Sequence, residues 1–224
     1  MKSKATRKGL RNGSADRTSA ALGLRAHSGW AALVAVGGSG RSPGVIDRRI
    51  IKLADPLIPG SKQPYHAAEG WPLPKAEEFI GRCTSRTTSM ARDAVQNVVE
   101  DLSRKGHRLV GCGVLSASGR RLPDLASTLA SHALIHTAEG ELFRNALIEA
   151  AESCRLRVAR IPERELFPRA VQDLRVPMQK LQKQLSELGR SLGPPWTQDQ
   201  KLAALVAWML LVTKTPRTDR RSSG

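Results

Sequence analysis

The segment from Ala21 to Val36, ALGLRAHSGWAALVAV, decides how the chain can fold. Two apolar runs, residues 21–25 and 29–36, flank the turn Ala26-His27-Ser28-Gly29. Apolar runs on either side of a Gly-containing turn are typical of two antiparallel strands joined as a hairpin. The segment therefore predicts a buried hairpin that carries one charged side chain, Arg25, near the end of its first strand.

Further strands and helices are predicted on the C-terminal side of this hairpin. Runs of apolar or β-branched residues predict strands at residues 45–53, 108–115 and 157–161. Helical spacing of apolar residues predicts helices at 76–104, 122–154 (with a break at Gly140), 163–174, 178–192 and 197–212. Residues 55–74 are rich in proline and predict a loop.

Length and composition favour a single domain. The chain has 224 residues, of which 40% are hydrophobic and 4% are aromatic, so its core is built mainly from aliphatic side chains. Residues 20–212 are predicted to form this domain. Residues 1–19 and 213–224 lack apolar periodicity and are predicted to be disordered basic tails.

The order of the predicted elements resembles a known superfamily. Three strands in a row, then a helix, a strand, a helix, a strand and further helices is similar to the ribonuclease H-like superfamily. The hairpin Gly23-Leu-Arg-Ala-His-Ser-Gly-Trp30 resembles the opening hairpin of its Holliday-junction-resolvase branch. The resemblance implies an α/β fold: a ribonuclease H-like mixed five-stranded sheet flanked by helices.

Nucleases of that superfamily hold two metal ions with carboxylates, which act on the attacking and the leaving oxygen. The resemblance places the first carboxylate where Arg25 stands and the second at the end of the fourth strand, at Gly111-Cys112-Gly113. It places the third on the last helix, where Asp199 is available. Unless Asp47 or Glu139 takes over, the chain is expected to be a degenerate member, of bacterial type, without conventional two-metal nuclease activity.

Charge makes an anionic partner plausible. The formal net charge is +16 and the isoelectric point is about 10.8. Residues 1–20 carry +5 and residues 214–224 carry +3, which is half of the excess. Solvated basic tails explain this pattern, and so does phosphate neutralisation on nucleic acid. Within the chain, we expect nucleic-acid contacts from Arg25, Arg48, Arg49, Arg120 and Arg121.

Cysteine usage and hydropathy indicate the compartment. Cys83, Cys112 and Cys154 are isolated, and their spacing matches neither a disulfide framework nor a structural zinc site. The N-terminus lacks the apolar core of a secretory signal, and the longest apolar run, residues 202–212, is too short to span a bilayer. These features predict a cytoplasmic protein with no membrane partner.

The densest group of chemically active side chains is His132-Ala-Leu-Ile-His136-Thr-Ala-Glu139. On a helix these three residues share one face, so His132, His136 and Glu139 are candidate ligands of a transition metal. A divalent metal is a possible cofactor here, although the segment lacks a strong metal-binding motif. Histidines that simply pack against the helix or pair with Glu139 are the alternative.

A second His-x-x-Glu pair, His66 to Glu69, lies in the proline-rich loop. Polar loop residues are often functional. His27, His66, His136 and Glu139 are therefore candidate catalytic residues. The four histidines His27, His66, His132 and His136 could converge at the tip of the hairpin.

Three hypotheses of function follow. The first is a ribonuclease H-like domain that binds nucleic acid without conventional two-metal nuclease activity. The second is a hydrolase, metal-dependent or not, that uses the His/Glu cluster. The third is a non-catalytic interaction scaffold. Steep salt dependence of DNA binding would separate the first from the others, and bound metal would separate the second.

Overall fold

The computed structural model describes residues 17–117 and 121–212. Its strands are β1 (Thr18–His27), β2 (Trp30–Ser39), β3 (Ser42–Lys52), β4 (His107–Ser116) and β5 (Val158–Pro162). Its α-helices are α1 (Pro64–Ala67), α2 (Leu73–Arg104), α3 (Leu125–Leu129), α4 (His132–Ser153), α5 (Glu163–Leu174), α6 (Met178–Leu188) and α7 (Gln198–Val212). Arg120 and nearly all of the two predicted tails lie outside the described residues, and β1 begins at Thr18.

The strands form one five-stranded sheet in the order β3-β2-β1-β4-β5. β1 pairs antiparallel with β2, and β2 pairs antiparallel with β3, as expected for consecutive hairpins. β1 pairs parallel with β4, and β4 pairs parallel with β5, so helices must cross between these strands. The mixed sheet with flanking helices confirms the ribonuclease H-like architecture predicted from the sequence.

Helices cover both faces of the sheet. On one face Leu22, Leu24 and Leu33 pack against α2 and α4. On the other face Ala21 and Val34 pack against α5, α6 and α7. Adjacent residues of β1 therefore point to opposite layers, as the two-residue period of a strand requires. Since β1 and β2 are covered on both sides, their sequences are apolar nearly throughout.

Two glycines allow α7 to approach the sheet closely. Gly23 of β1 and Gly113 of β4 are paired neighbours in the sheet. A Cβ on Gly23 would lie 1.8 Å from the carbonyl oxygen of Ala203, and one on Gly113 would lie 1.9 Å from Cγ1 of Val206. Glycine is therefore required here by helix packing, because any side chain would push α7 away from the sheet.

The segment Gly111-Cys112-Gly113 lies at the centre of β4 and not at its end. The end of the strand is formed by Leu115 and Ser116. The prediction that Gly111-Cys112-Gly113 stand at the end of the fourth strand was wrong, because β4 continues for three residues beyond them. Cys112 is fully buried, and burial raises the pKa of its thiol to about 12, so this thiol is unreactive.

Two local predictions need correction. Gly140 does not break the helix: α4 is continuous from His132 to Ser153, and its packing against α2 and the sheet outweighs the low helix propensity of glycine. The guanidinium of Arg144 lies over Gly140, where a Cβ would be 2.6 Å from it. The proline-rich loop also contains a short helix, α1.

None of the helices within residues 17–117 and 121–212 is both long enough and apolar enough to cross a membrane. The most apolar helix, α7, has 15 residues and is buried between the sheet, α5 and α6. Its apolar residues are explained by this central position in the fold.

Candidate functional site

The register between β1 and α7 brings Arg25 to Asp199. Gly23 faces Ala203 of α7, and Arg25 lies two residues further along β1 on the same face. Two residues of a strand span about 6.6 Å, and four residues of a helix span about 6 Å. The side chain at position 25 therefore meets the residue four positions before Ala203, which is Asp199.

At this point Arg25 bridges two carboxylates. Its Nη1 donates to Oδ1 of Asp199. Its Nη2 donates to Oε1 of Glu163 at 2.9 Å, and its Nε donates to Oε2 of the same residue at 3.4 Å. The side chains of Arg25 and Asp199 are 21% and 22% exposed, so this ion pair is only partly screened by water. We call Arg25, Glu163 and Asp199 the β1-tip cluster.

His27, the last residue of β1, contacts the β1-tip cluster. Its Nε2 lies 2.9 Å from Oδ1 of Asp199, and its ring stacks on Trp30 with centroids 4.3 Å apart. Gly29, at a φ of +80°, makes the tight turn that brings the two rings together. Sequence analysis identified His27 and Asp199 but not Glu163, because nothing in the sequence shows that the start of α5 faces β1.

The β1-tip cluster is chemically different from a two-metal site. A site for hard divalent cations presents carboxylate oxygens to the ion. Here the guanidinium of Arg25 occupies the space between Glu163 and Asp199 and offsets one of their two negative charges. A cation that entered this space would have to displace Arg25 against charge repulsion.

The other carboxylates considered as substitute ligands lie elsewhere. Asp47 on β3 accepts from Arg49 at 2.6 Å, and Arg49 also donates to Asp101 of α2 at 2.7 Å. The hydrogen bonds that Arg49 donates to Asp47 raise the pKa of Arg49; burial opposes this shift, and the hydrogen bond to Asp101 reinforces it. Glu139 belongs to a separate cluster around α1. Among the contacts within residues 17–117 and 121–212, neither Asp47 nor Glu139 touches Arg25, Glu163 or Asp199.

Three histidines converge where α1 meets the first turn of α4. One ligand nitrogen from each of His66, His132 and His136 lies within 4.8 Å of the others. Nε2 of His132 and Nε2 of His136 are 3.1 Å apart. The ring centroid of His66 lies 5.3 Å from that of His132 and 4.6 Å from that of His136. We call these residues the histidine cluster.

Glu139 lies beneath the histidine cluster and is buried. Its Oε1 accepts from the backbone N–H of Tyr65 at 2.8 Å and from that of His66 at 3.1 Å, and it lies 3.3 Å from Nδ1 of His66. Its Oε2 has no hydrogen-bond partner among the described residues. Burial raises the pKa of Glu139, opposed by the hydrogen bonds from His66 and Tyr65.

The sequence predicted His132, His136 and Glu139 as metal ligands. In the structure His132 and His136 lie close together, and the third residue beside them is His66 rather than Glu139. Of the predicted catalytic residues, His66, His136 and Glu139 share this cluster, whereas His27 contacts Asp199 instead. The two His-x-x-Glu segments meet across α1 and α4, but Glu69 is exposed. These contacts could not be predicted from local sequence patterns, because 73 residues separate His66 from Glu139.

The arginines expected to bind nucleic acid are mostly held within the protein. Arg48 donates to the carbonyl oxygens of Leu192 at 3.1 Å and Pro194 at 3.2 Å, and to that of Pro195. Arg49 is held by its two aspartates, and Arg25 by the β1-tip cluster. Arg121 is exposed, and Arg120 lies outside the described residues.

A different group of arginines surrounds a cavity at the β5 edge of the sheet. The cavity has a volume of about 260 Å³, and Arg157, Arg160, Arg169 and Asp173 contribute to its lining together with Gly111. Arg169 pairs with Glu165. Arg157 and Arg160 are exposed, and neither has a carboxylate partner within residues 17–117 and 121–212. We call Arg157, Arg160 and Arg169 the β5-edge arginines.

Comparison with known proteins finds similarity in structure but not in sequence. No protein-family model matches the chain, and no curated protein matches it. The structure resembles RuvC. Thermus thermophilus RuvC in complex with a Holliday junction substrate has 12% sequence identity and a TM-score of 0.49, over 85% of this chain and 91% of that chain. A structure titled as Thermus thermophilus RuvC alone has 12% identity and a TM-score of 0.48, over 85% and 92%.

Proposed function

We propose that the chain is a nucleic-acid-binding ribonuclease H-like domain that does not use conventional two-metal nuclease chemistry. The observation that carries this proposal is the β1-tip cluster, in which Arg25 occupies the space between Glu163 and Asp199. Two-metal catalysis needs oxygen ligands that are free to bind cations. A guanidinium that is already hydrogen-bonded to both carboxylates supports a role other than metal-assisted cleavage.

Binding to nucleic acid is supported by net charge and by exposed guanidinium groups at the β5 edge. The net charge of +16 favours association with a polyanion. No carboxylate of residues 17–117 and 121–212 pairs with Arg157 or Arg160, so both can reach phosphate oxygens, whereas Arg25, Arg48 and Arg49 already have partners. Within the β5-edge arginines, we therefore assign phosphate contact to Arg157 and Arg160, and we expect this surface to recognise the backbone rather than the bases.

Binding is tested with charge reversal and a matched control. Fluorescence anisotropy would measure the affinity of the full chain for labelled duplex DNA and for a four-way junction over a series of salt concentrations. We compare the wild type with Arg157→Glu/Arg160→Glu and with Arg82→Glu/Arg92→Glu, which makes the same charge change on exposed positions of α2. If Arg157 and Arg160 each neutralise one phosphate, the log–log salt slope on duplex DNA falls by about 1.8 in the first variant.

The control variant should keep most of the wild-type salt slope. Equal losses in both variants would mean that only net charge matters and would refute the assigned surface. Absence of binding by the wild type at every salt concentration would contradict the proposed function and favour an interaction scaffold.

Cleavage is tested on the same DNA. With Mg²⁺ or Mn²⁺ present, we expect the labelled strands to remain intact on a denaturing gel. Metal-dependent cleavage by the wild type that disappears in Asp199→Asn would show that the β1-tip cluster is a working nuclease site, and the proposal would then be wrong.

A further inference from the structure

We propose that His66, His132 and His136 form a binding site for a divalent transition metal ion, with Zn²⁺ the best fit to the donor set. The site is independent of the β1-tip cluster and of the β5-edge arginines. It joins α1, in the proline-rich loop, to the first turn of α4.

The geometry of the histidine pair on α4 suits a metal. His132 and His136 are four residues apart, so both rings leave the same face of the helix. Their Nε2 atoms are 3.1 Å apart. Two nitrogens bound to tetrahedral zinc at the usual bond length are separated by about 3.3 Å. The pair therefore needs little rearrangement to share one ion.

His66 approaches this pair from a different element. Its ligand nitrogen lies within 4.8 Å of those of His132 and His136, so a shift of at most about 1.5 Å brings it to tetrahedral spacing. Imidazole nitrogens bind zinc, copper and nickel well, whereas magnesium and calcium prefer oxygen ligands. A set of three imidazoles consequently selects for a transition metal.

Glu139 supplies a second, independent indication of a metal site. Its buried carboxylate lies 3.3 Å from Nδ1 of His66. Metal-binding histidines usually donate their other ring N–H to a carboxylate, which fixes the tautomer and the orientation of the ring. With Nδ1 directed at Glu139, Nε2 of His66 is the nitrogen left for the ion. Glu139 is thus a positioning residue.

A fourth coordination position is open to solvent. His132 and His136 are exposed, and His66 lines a cleft of about 560 Å³ formed by residues 55–67. Three protein ligands and one open position distinguish catalytic zinc sites from closed structural ones. We therefore expect water or a small anionic ligand to complete the coordination.

The experiment measures zinc directly on the full chain, produced without a polyhistidine tag and treated with a chelator. Isothermal titration with ZnCl₂ should give one equivalent per chain for the wild type. His136→Ala and His66→Ala should lose this binding. His27→Ala and His107→Ala are the matched controls, because they remove the two remaining histidines of the chain, and they should keep it.

A positioning role for Glu139 predicts an intermediate result. Glu139→Gln keeps the shape of the side chain but weakens its hold on Nδ1 of His66, so zinc affinity should fall by about 10- to 100-fold without loss of stoichiometry. A purely structural role would leave the zinc affinity of this variant unchanged once its folding is verified by circular dichroism.

The outcomes separate this proposal from the proposed function. Zinc binding that is absent in the wild type, or equal in His136→Ala and His107→Ala, would overturn the metal site. Because His136 is exposed, His136→Asn provides a second variant if the alanine variant unfolds. DNA affinity measured with a chelator present should be the same in the wild type and His136→Ala, whatever the result with zinc.

Discussion

Replacement of Gly23 by alanine should destabilise the protein strongly, because β1 and α7 meet there without room for a side chain. An added Cβ would lie 1.8 Å from the carbonyl oxygen of Ala203 and 3.1 Å from the backbone nitrogen of Ala207. Both atoms belong to the backbone of α7, so no side-chain rotation can relieve the contact. The whole helix would have to move.

The size of the effect follows from the distances. A carbon and an oxygen atom in van der Waals contact are about 3.4 Å apart, so Gly23→Ala requires a separation about 1.6 Å larger than the structure has. Overpacking of a core costs about 1–3 kcal/mol when side chains can adjust. Because backbone must shift here, we expect a loss of about 3 kcal/mol in the free energy of unfolding.

Urea denaturation followed by circular dichroism measures this loss. With a slope of about 3 kcal/mol per M, the midpoint should fall by about 1 M. Gly81→Ala is the matched control: Gly81 lies within α2, and a Cβ there meets nothing within 4 Å. That variant should gain about 0.5–1 kcal/mol. A Gly23→Ala midpoint at or above the wild-type value would refute the close packing of α7 on β1.

Two further predictions concern charge. The backbone N–H of Leu57, and next the guanidinium of Arg86, hold the pKa of Asp55 below its ordinary value of 3.8. The stability that Asp55 contributes is therefore fully present above pH 3.8 and is lost as the pH falls through the pKa of the folded state. The difference in unfolding free energy between the wild type and Asp55→Asn, measured by urea titration, should be constant near neutral pH and shrink in acid; a difference that grows in acid would contradict the lowered pKa. Arg25→Asp should place a third carboxylate beside Asp199, so Mn²⁺ should raise the melting temperature of this variant but not of the wild type, and equal shifts in the two proteins would contradict the account of the β1 tip.

The hairpin and the order of the strands could be predicted because they depend on local signals. Alternating apolar runs, a Gly-containing turn and the spacing of helical residues are visible within short windows. The resemblance that these elements suggested also identified Asp199 as the carboxylate on the last helix. The structure then confirmed the mixed five-stranded sheet and showed that β1 lies between β2 and β4.

The partners of the candidate residues could not be predicted in the same way. Arg25 is separated by 138 residues from Glu163 and by 174 residues from Asp199. Local sequence patterns do not show which helix packs against which strand, or which of their residues meet along the strand. Similarly, His66 reaches His136 only because α1 turns back against α4. The helix break predicted at Gly140 was wrong for the opposite reason, because tertiary packing outweighed the low helix propensity of glycine.

The most direct test of the central claim is the affinity of the wild-type chain for duplex DNA, measured by anisotropy across a salt series with a chelator present. Our account predicts binding without divalent metal, and a logarithm of affinity that falls linearly with the logarithm of salt concentration, by about 0.9 for each phosphate neutralised. Binding that appears only when Mg²⁺ or Mn²⁺ is added would contradict it, because DNA would then be held through metal ions rather than through arginines.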